Sequence, residues 1–321
     1  MPARTVGTAL LLPSFLLAAT AACGSDSSAG AEPPALTKDQ ARRVLDRYTA
    51  AVARAGANLD GAALPAVQAD PQLAMDTAAF KFRRASRQRS PALAFAKPEF
   101  YIPRMAGYPR WFAAAAVTGQ GGRALRHALL FTQARPGEPW LLTADPFPAD
   151  AALSRVALDP GGYATPVKPG AEGLAVPPAG LAAAHAALLT SGPAAPGAAV
   201  LAPGPKTDEA YGALRQGQAD LKRAGVALAS RFSAAPSPVY ALRTKDRGAL
   251  VWYLVRQNEA YTSARRGRLA VSGDLVGLVP ARAARRRMDT TVLVQYLATV
   301  PPEGRATVAG MYRKAIAVRG S

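Results

Sequence analysis

The sequence is poor in the side chains that build catalytic and metal centres. It holds one cysteine, Cys23, and two histidines, His127 and His185. A single thiol excludes a disulfide within the chain, and two histidines without an H-E-x-x-H motif leave a zinc site short of ligands once Cys23 has another role. No H-E-x-x-H or G-x-S-x-G motif occurs, and the acidic residues are scattered. We therefore predict no catalytic residues, no metal site and no cofactor.

Long apolar segments are missing as well. The longest apolar stretch covers residues 6–19 and is interrupted by Pro13, whereas a helix that spans a membrane needs about 20 apolar residues. Arg4 precedes this stretch, and the small residues Ala21 and Ala22 follow it. This is the order of a secretory signal peptide. We predict that residues 1–22 are a signal peptide that is removed on export.

The position of Cys23 suggests how the exported chain is held. Thr20, Ala21, Ala22 and Cys23 resemble a bacterial lipobox, in which the cysteine receives diacylglycerol and becomes the first residue after cleavage. The alternative is simple secretion after cleavage at a small-residue site. Two acyl chains anchor a protein stably where one does not, so lipidation of Cys23 predicts a location on the outer face of the cell membrane. Residues 23–36, rich in Gly, Ser, Asp and Pro, are then expected to form a flexible tether.

Negative charge is scarce. The chain has 39 Lys and Arg against 21 Asp and Glu, a formal net charge of +18. Clustered cations bind polyanions, and an exported protein meets anionic lipids and envelope polymers, so we predict these partners and no nucleic acid. The alternative is a solvated Arg-rich surface that reflects codon usage in a GC-rich genome. The candidate polyanion-binding residues are Lys81, Arg83, Arg84, Arg87, Arg285, Arg286 and Arg287.

Aromatic residues make up only 7% of the chain, but several of them lie close together in the sequence. Aromatic side chains line ligand pockets as well as cores. The two interpretations, a pocket inside a curved sheet and ordinary core packing, stay open at this point. The candidate ligand-binding residues are Tyr101, Tyr108, Trp111, Trp252 and Tyr253.

Local patterns predict the secondary structure. Thr37 and Gln40 have the spacing of a capping box ahead of an amphipathic helix. A weaker pattern at residues 73–82 predicts a second helix that runs into a strand or ends before one, and further helices are expected at residues 181–189 and 208–226. Three β-compatible runs cover residues 98–119, 123–133 and 140–146. Turns at residues 245–248 and 301–304 predict two more hairpins. His127 falls in a strand and His185 in a helix, and both are expected to have structural roles.

Composition divides the mature chain into two parts. Residues 166–180 are rich in Pro and Gly and have little to bury, which predicts an interdomain linker. The N-terminal domain would cover residues 37–165 and the C-terminal domain residues 181–321. Helices precede antiparallel strands in each part. The predicted fold class is α+β, with two tandem units that each pack helices on a curved antiparallel sheet.

Three segments resemble a family of actinobacterial extracytoplasmic lipoproteins whose domain has no assigned function. They are PQLAMDTAAFKFR, EFYIPRMAGYPRWFA and LAPGPKTD. The resemblance covers nearly the whole mature chain; it implies a tethered extracytoplasmic protein and no catalytic residue. The order of helices before a curved sheet is also similar to the cystatin-like cone of nuclear-transport-factor-like proteins, a similarity of fold that transfers no activity.

Two functions from different classes fit the sequence. The first is a non-catalytic, membrane-anchored lipoprotein that binds a small ligand or an envelope partner such as a polyanion. The second is an uncharacterised hydrolase that acts on cell-envelope material, with carboxylates brought together only by the fold. The missing catalytic motifs favour the first function, and the sequence predicts that the protein is not an enzyme.

Overall fold

A computed structural model of the protein describes residues 32–119, 121, 124–263, 269, 271–279 and 286–320. The chain from Glu32 onward forms one unit. It contains the helices α1 (Lys38–Asn58), α2 (Gln72–Ala85), α3 (Leu181–Ser191) and α4 (Asp208–Arg223). The strands are β1 (Ala96–Tyr101), β2 (Arg110–Thr118), β3 (Leu125–Gln133), β4 (Leu141–Ala144), β5 (Phe147–Pro148), β6 (Val226–Ala234), β7 (Tyr240–Arg243), β8 (Ala249–Ser263), β9 (Arg287–Val300) and β10 (Thr307–Gly320).

Helix α1 begins at the predicted capping box. The Thr37 side chain accepts a hydrogen bond from the Gln40 backbone N–H, and the Gln40 side chain accepts one from the Thr37 N–H, so the prediction is confirmed. These bonds satisfy amides that the first turn cannot pair internally. The apolar face of the helix is buried through Val44, Leu45 and Tyr48, which sets the helix against the first sheet.

The first sheet is antiparallel, in the order β1-β2-β3-β4. The run at residues 98–119, predicted as one β-compatible segment, divides into β1 and β2 at a turn in which Gly107 has a φ of +76°. Phe112 of β2 lies opposite Phe131 of β3, and their rings stack at 5.0 Å. Both rings pack with Tyr48 of α1 in one hydrophobic cluster, so α1 covers this face of the sheet.

The second sheet has the order β5-β10-β9-β8-β6, with β7 paired to the first part of β8. The predicted hairpins β7–β8 and β9–β10 are confirmed. The helix expected to reach about residue 226 ends at Arg223, because Gly225 turns the chain with a φ of +82°. Strand β6 then follows at Val226; the sequence analysis missed it, since it is rich in small and polar residues that are only partly buried.

The two sheets pack face to face. Trp111 and Leu130 of the first sheet share a hydrophobic cluster with Leu250, Trp252 and Leu297 of the second. Helix α3 covers the opposite face of the second sheet. The predicted fold class, α+β with helices packed on two antiparallel sheets, is therefore confirmed, and the layers follow the order α1, first sheet, second sheet, α3 with α4.

The segment at residues 166–180, predicted as a linker, lies along the second sheet. Val167 and Val176 are buried, and the Val167 N–H donates to the Ala241 carbonyl. Each predicted domain supplies one sheet, except that β5 of the first part pairs with β10 of the second. The division into domains at residues 37–165 and 181–321 stays a prediction.

Of the helices in the described part of the chain, none combines the length and the apolarity that crossing a membrane requires.

Candidate functional site

The aromatic candidates of the second sheet are buried. Trp252 is 2% exposed, and its indole N–H donates to the Ala128 carbonyl of the first sheet at 3.0 Å. The Tyr253 hydroxyl hydrogen-bonds Nδ1 of His185 at 2.9 Å. Both aromatic residues border a cavity of about 190 Å³ between the sheets. Their polar atoms are already used within the fold, and their side chains pack on opposite faces of the second sheet.

The three aromatic candidates of the first sheet lie in different places. Trp111 lines a groove of about 520 Å³ and meets the Tyr240 ring edge-on at 5.3 Å. Tyr101 borders another cavity, of about 210 Å³. Tyr108 is 38% exposed, and its ring lies 5.0 Å from the Arg110 guanidinium. The structure therefore does not gather the five candidates into one pocket.

The cavity beside Tyr101 contains two carboxylates and a histidine. Glu99, Asp150 and His127 contribute to it. The Tyr101 hydroxyl donates to Glu99 at 2.9 Å; burial, followed by this carboxylate, raises the pKa of Tyr101. Asp150 forms an ion pair with Arg155 at 2.7 Å. Each acid of the cavity thus already has a partner within the fold.

Hydrogen bonds connect polar side chains of α1, α2 and the first sheet to Gln295 of the second sheet, and we call this network the polar core. His127 Nδ1 bonds the Asp145 carboxylate at 2.7 Å, and the Asp145 N–H donates to Gln295 at 2.8 Å. Asp76 belongs to the same network of hydrogen bonds, and burial raises the pKa of its carboxyl. The members of the polar core are Tyr48, Gln68, Gln72, Asp76, His127, Asp145 and Gln295.

The polar core links elements that are distant in sequence. Gln295 of β9 donates to Gln72 of α2 at 3.0 Å, while Phe95 and Phe147 flank the His127 ring at 5.1 Å each. The sequence analysis expected His127 in a structural role and missed its partner Asp145. The alternation of β3 places His127 on the face of Leu129, but no pattern indicates that Asp145, after β4, reaches it.

His185 is fully buried, and we predict that it makes stability depend on pH. Burial lowers the pKa of its imidazole to about 4, below the usual value of about 6.5. The unfolded chain therefore binds a proton at a pH where the folded chain does not, so stability is lost as the pH falls from 6.5 towards 4. We expect the free energy of unfolding, measured in urea, to fall by about 1 kcal/mol more between about pH 7.5 and 5.5 than in His185→Gln.

The His185→Gln variant keeps every other titratable group, including His127, so it isolates the contribution of His185. Equal pH slopes in the two proteins would contradict the prediction.

The basic candidates divide into separate groups. Lys81, Arg83 and Arg84 lie on α2, where the Arg84 guanidinium donates to the Leu59 carbonyl at 2.7 Å. Arg87 follows the helix with a φ of 55° and is exposed.

The second basic run lies mostly at the edge of the described chain. Arg285 is outside the described residues, and Arg286 is exposed. Arg287 pairs with Asp289 at 2.7 Å, and its hydrogen bond lowers the pKa of Asp289. The Asp289 carboxylate thus offsets the positive charge of Arg287, which makes Arg287 a weaker candidate for binding a polyanion.

Strand β10 adds a basic residue that the sequence analysis did not select. The Lys314 ammonium lies 4.9 Å from the centre of the Phe82 ring of α2. Burial lowers the pKa of Lys314, and the positive charge of Arg83 lowers it further. Arg83 and Lys314 thus lie close together, with the Asp274 carboxylate near enough to offset part of the lowering of the Lys314 pKa. Lys81 lies two residues before Arg83 on α2 and points away from it. Within the part of the chain that the structure describes, none of the three forms an ion pair.

No three His, Cys, Asp or Glu side chains converge on a point where a metal ion could bind, as far as the described residues extend.

Comparison with known proteins shows what class of protein this fold and these surfaces belong to. Residues 32–320 match the family described as a domain of unknown function, DUF8094. An uncharacterized lipoprotein of Streptomyces coelicolor is 28% identical over 86% of the chain and 84% of its own length. A second from the same organism is 33% identical over 51% of both chains, and one from Streptomyces avermitilis is 28% identical over 72% of the chain and 69% of its own. No solved structure matches.

The chain belongs to this actinobacterial lipoprotein family with a domain of unknown function, as the resemblance implied. The similarity to cystatin-like cones stays a prediction.

Proposed function

We propose that the protein is a non-catalytic lipoprotein, anchored to the outer face of the cell membrane through Cys23, that binds an anionic component of the envelope. The observation that carries the binding role is the surplus of positive charge, +18 over the chain, together with the neighbouring cations Arg83 and Lys314, which form no ion pair among the described residues. Each cation near an anionic surface contributes about 1 kcal/mol before screening by salt.

The position of Cys23 supports the anchor. Cys23 itself lies outside the described residues, nine residues before Glu32, where the described chain begins. Nine residues span at most about 30 Å, so an acylated Cys23 would hold the folded body close to the membrane. The related proteins of both Streptomyces species carry the name lipoprotein, which agrees with this mode of attachment.

Small-ligand binding by Tyr101, Tyr108, Trp111, Trp252 and Tyr253 has less support, because these residues do not share one pocket. Catalysis has less support still. In the cavity that holds Glu99 and Asp150, each acid has a neighbouring side chain as its partner, and the chain has no H-E-x-x-H or G-x-S-x-G motif.

One variant tests both parts of the proposal. Replacing residues 1–23 by an ordinary cleavable secretory signal exports the same body without the cysteine. We expect the natural protein to sediment with membranes at both about 50 mM and about 500 mM salt, because acyl chains are insensitive to salt. The variant should stay with the envelope at the lower concentration and be released at the higher one, since its attachment is electrostatic.

The possible failures are distinguishable. Retention of the variant at both concentrations, or an unmodified peptide beginning at Cys23 in the mass spectrum of the natural protein, would contradict the anchor. Release at both concentrations would contradict the binding role. Liberation of soluble saccharide or peptide from envelope material by the purified protein, abolished by Glu99→Gln, would show a hydrolase instead.

A further inference from the structure

A second basic feature lies where the chain enters the fold. It is a groove of about 570 Å³ between α1 and the end of the first sheet, which we call the entry groove. Helix α1 contributes Arg43 and Arg47 to it, and β2 contributes Arg110 at its first residue. The groove is also lined by Ala35, Gln133 and Trp140. Three guanidinium groups from two elements therefore face one space.

Three arginines and one carboxylate line the entry groove, so its net charge is positive. Arg47 donates to the Trp140 carbonyl at 3.2 Å, and Arg110 donates to the Ala35 carbonyl at 3.1 Å. In the described chain, no carboxylate forms an ion pair with Arg43, Arg47 or Arg110. Glu138 lines the groove, but its partner is Arg135, at 4.0 Å.

Arg110 differs from Arg43 and Arg47 in that its guanidinium is partly buried. Its Nε is buried and has no hydrogen-bond partner among the described residues, and its guanidinium lies against the Tyr108 ring. A partly buried cation without a countercharge is costly. Arg43 and Arg47, four residues apart on one helix face, add repulsion between like charges. An oxyanion bound in the groove would relieve both costs.

The chemistry of the groove selects the kind of anion. The planar fork of arginine donates two parallel hydrogen bonds to phosphate or carboxylate oxygens. Ala35 lies twelve residues after Cys23, so the chain can separate the groove from an anchored Cys23 by at most about 40 Å. The phosphates of the membrane lipids lie within that range.

We propose that the entry groove binds the phosphate of an anionic lipid headgroup in the membrane that carries the protein. This inference rests on the proposed anchor, and it assigns Arg43, Arg47 and Arg110 as the ligands. The anchor would hold the protein at the membrane, while the groove would orient the body on it.

The test uses the exported form without residues 1–23 and vesicles of phosphatidylcholine, alone or with about 30% phosphatidylglycerol. We expect binding to the mixed vesicles only. The triple variant Arg43→Gln, Arg47→Gln, Arg110→Gln should lower the vesicle partition coefficient at least about tenfold. A control with equal loss of charge, Arg215→Gln, Lys222→Gln, Arg223→Gln on α4, should change it less than about twofold.

Arg110 is half-buried, and its loss can destabilise the fold. A second variant, Arg43→Gln with Arg47→Gln, therefore changes only exposed side chains and should still weaken binding several-fold.

Equal losses in the α1 and α4 variants would overturn the proposal in favour of diffuse attraction. Binding of free glycerol phosphate at a concentration as low as the lipid concentration that half-saturates vesicle binding would also overturn it, by indicating a soluble anion. If the double variant binds vesicles normally while the envelope still retains the protein at low salt, the groove assignment fails and the proposed function stands.

Discussion

Trp252→Ala is expected to lower the free energy of unfolding by about 3–5 kcal/mol, the usual cost of removing a fully buried large aromatic side chain. Trp252 is almost completely buried between the sheets, where it packs with Leu130, Leu250 and Leu297. The change also leaves the Ala128 carbonyl without the indole donor. Urea denaturation monitored by far-UV circular dichroism measures the loss.

Two comparisons sharpen this prediction. Trp252→Phe keeps most of the ring volume and loses the N–H, so its cost should be nearer 1–2 kcal/mol. Trp140→Ala removes a ring of the same size at a half-buried position and should cost less than Trp252→Ala. If Trp252→Ala costs less than about 1 kcal/mol, the contact between the sheets contributes little to stability.

The same variant bears on the predicted domains. Because the cluster around Trp252 contains side chains from both sheets, loss of the ring should reduce hydrogen-exchange protection in β2 and β3 as well as in β8 and β9. Protection lost from the second sheet alone would support independent domains at residues 37–165 and 181–321.

The sequence predicted those parts of the fold that depend on interactions between residues close together in the chain. The capping box at Thr37 and the turns at residues 245–248 and 301–304 act over a few residues, and the structure has all three features. The packing of the sheets depends on partners far apart in the chain. Trp252 and Ala128, for example, are separated by 124 residues, and no local pattern relates them.

Strand β5 shows the same limit at a smaller scale. It has only two residues, Phe147 and Pro148, which pair with Met311 and Gly310. Two residues give no alternation to detect, and proline is a weak indicator of a strand. Its pairing with β10 can be seen only in three dimensions, although it joins the first part of the chain to the second sheet.

The candidate sites also differ in how far they can be predicted, because some are contiguous in sequence and others are assembled from distant elements. The basic run at residues 81–87 is contiguous, so the sequence revealed it directly. The entry groove draws its cations from α1 and β2, and Arg110 is isolated in sequence from Arg43 and Arg47. The charged face of α1 could be seen from the helical period, but its facing partner could not. Lys314 escaped selection because it reaches α2 only through the pairing of β10.

The second large effect is expected at Gly310. A Cβ atom there would lie 2.7 Å from the Pro148 nitrogen and 2.8 Å from its Cα. These are backbone atoms of the neighbouring strand, which cannot rotate away as a side chain can. Gly310→Ala must therefore push β5 from β10, and we expect a loss of about 3 kcal/mol, at the upper end for overpacking.

Gly217→Ala is the matched control for Gly310→Ala, because it makes the same chemical change in α4 at a position where a Cβ meets nothing within 4 Å. Alanine is the better helix former, so the Gly217→Ala variant should gain up to about 1 kcal/mol in its free energy of unfolding.

The Ala149 N–H donates to the Ala309 carbonyl, so its hydrogen exchange reports on the pairing of β5 with β10. Faster exchange at Ala149 together with the lower stability would locate the damage at β5. Unchanged exchange and stability in Gly310→Ala would mean that the two strands can separate without cost, and that other contacts, such as the Trp252 cluster and the polar core, hold the first part of the chain to the second sheet.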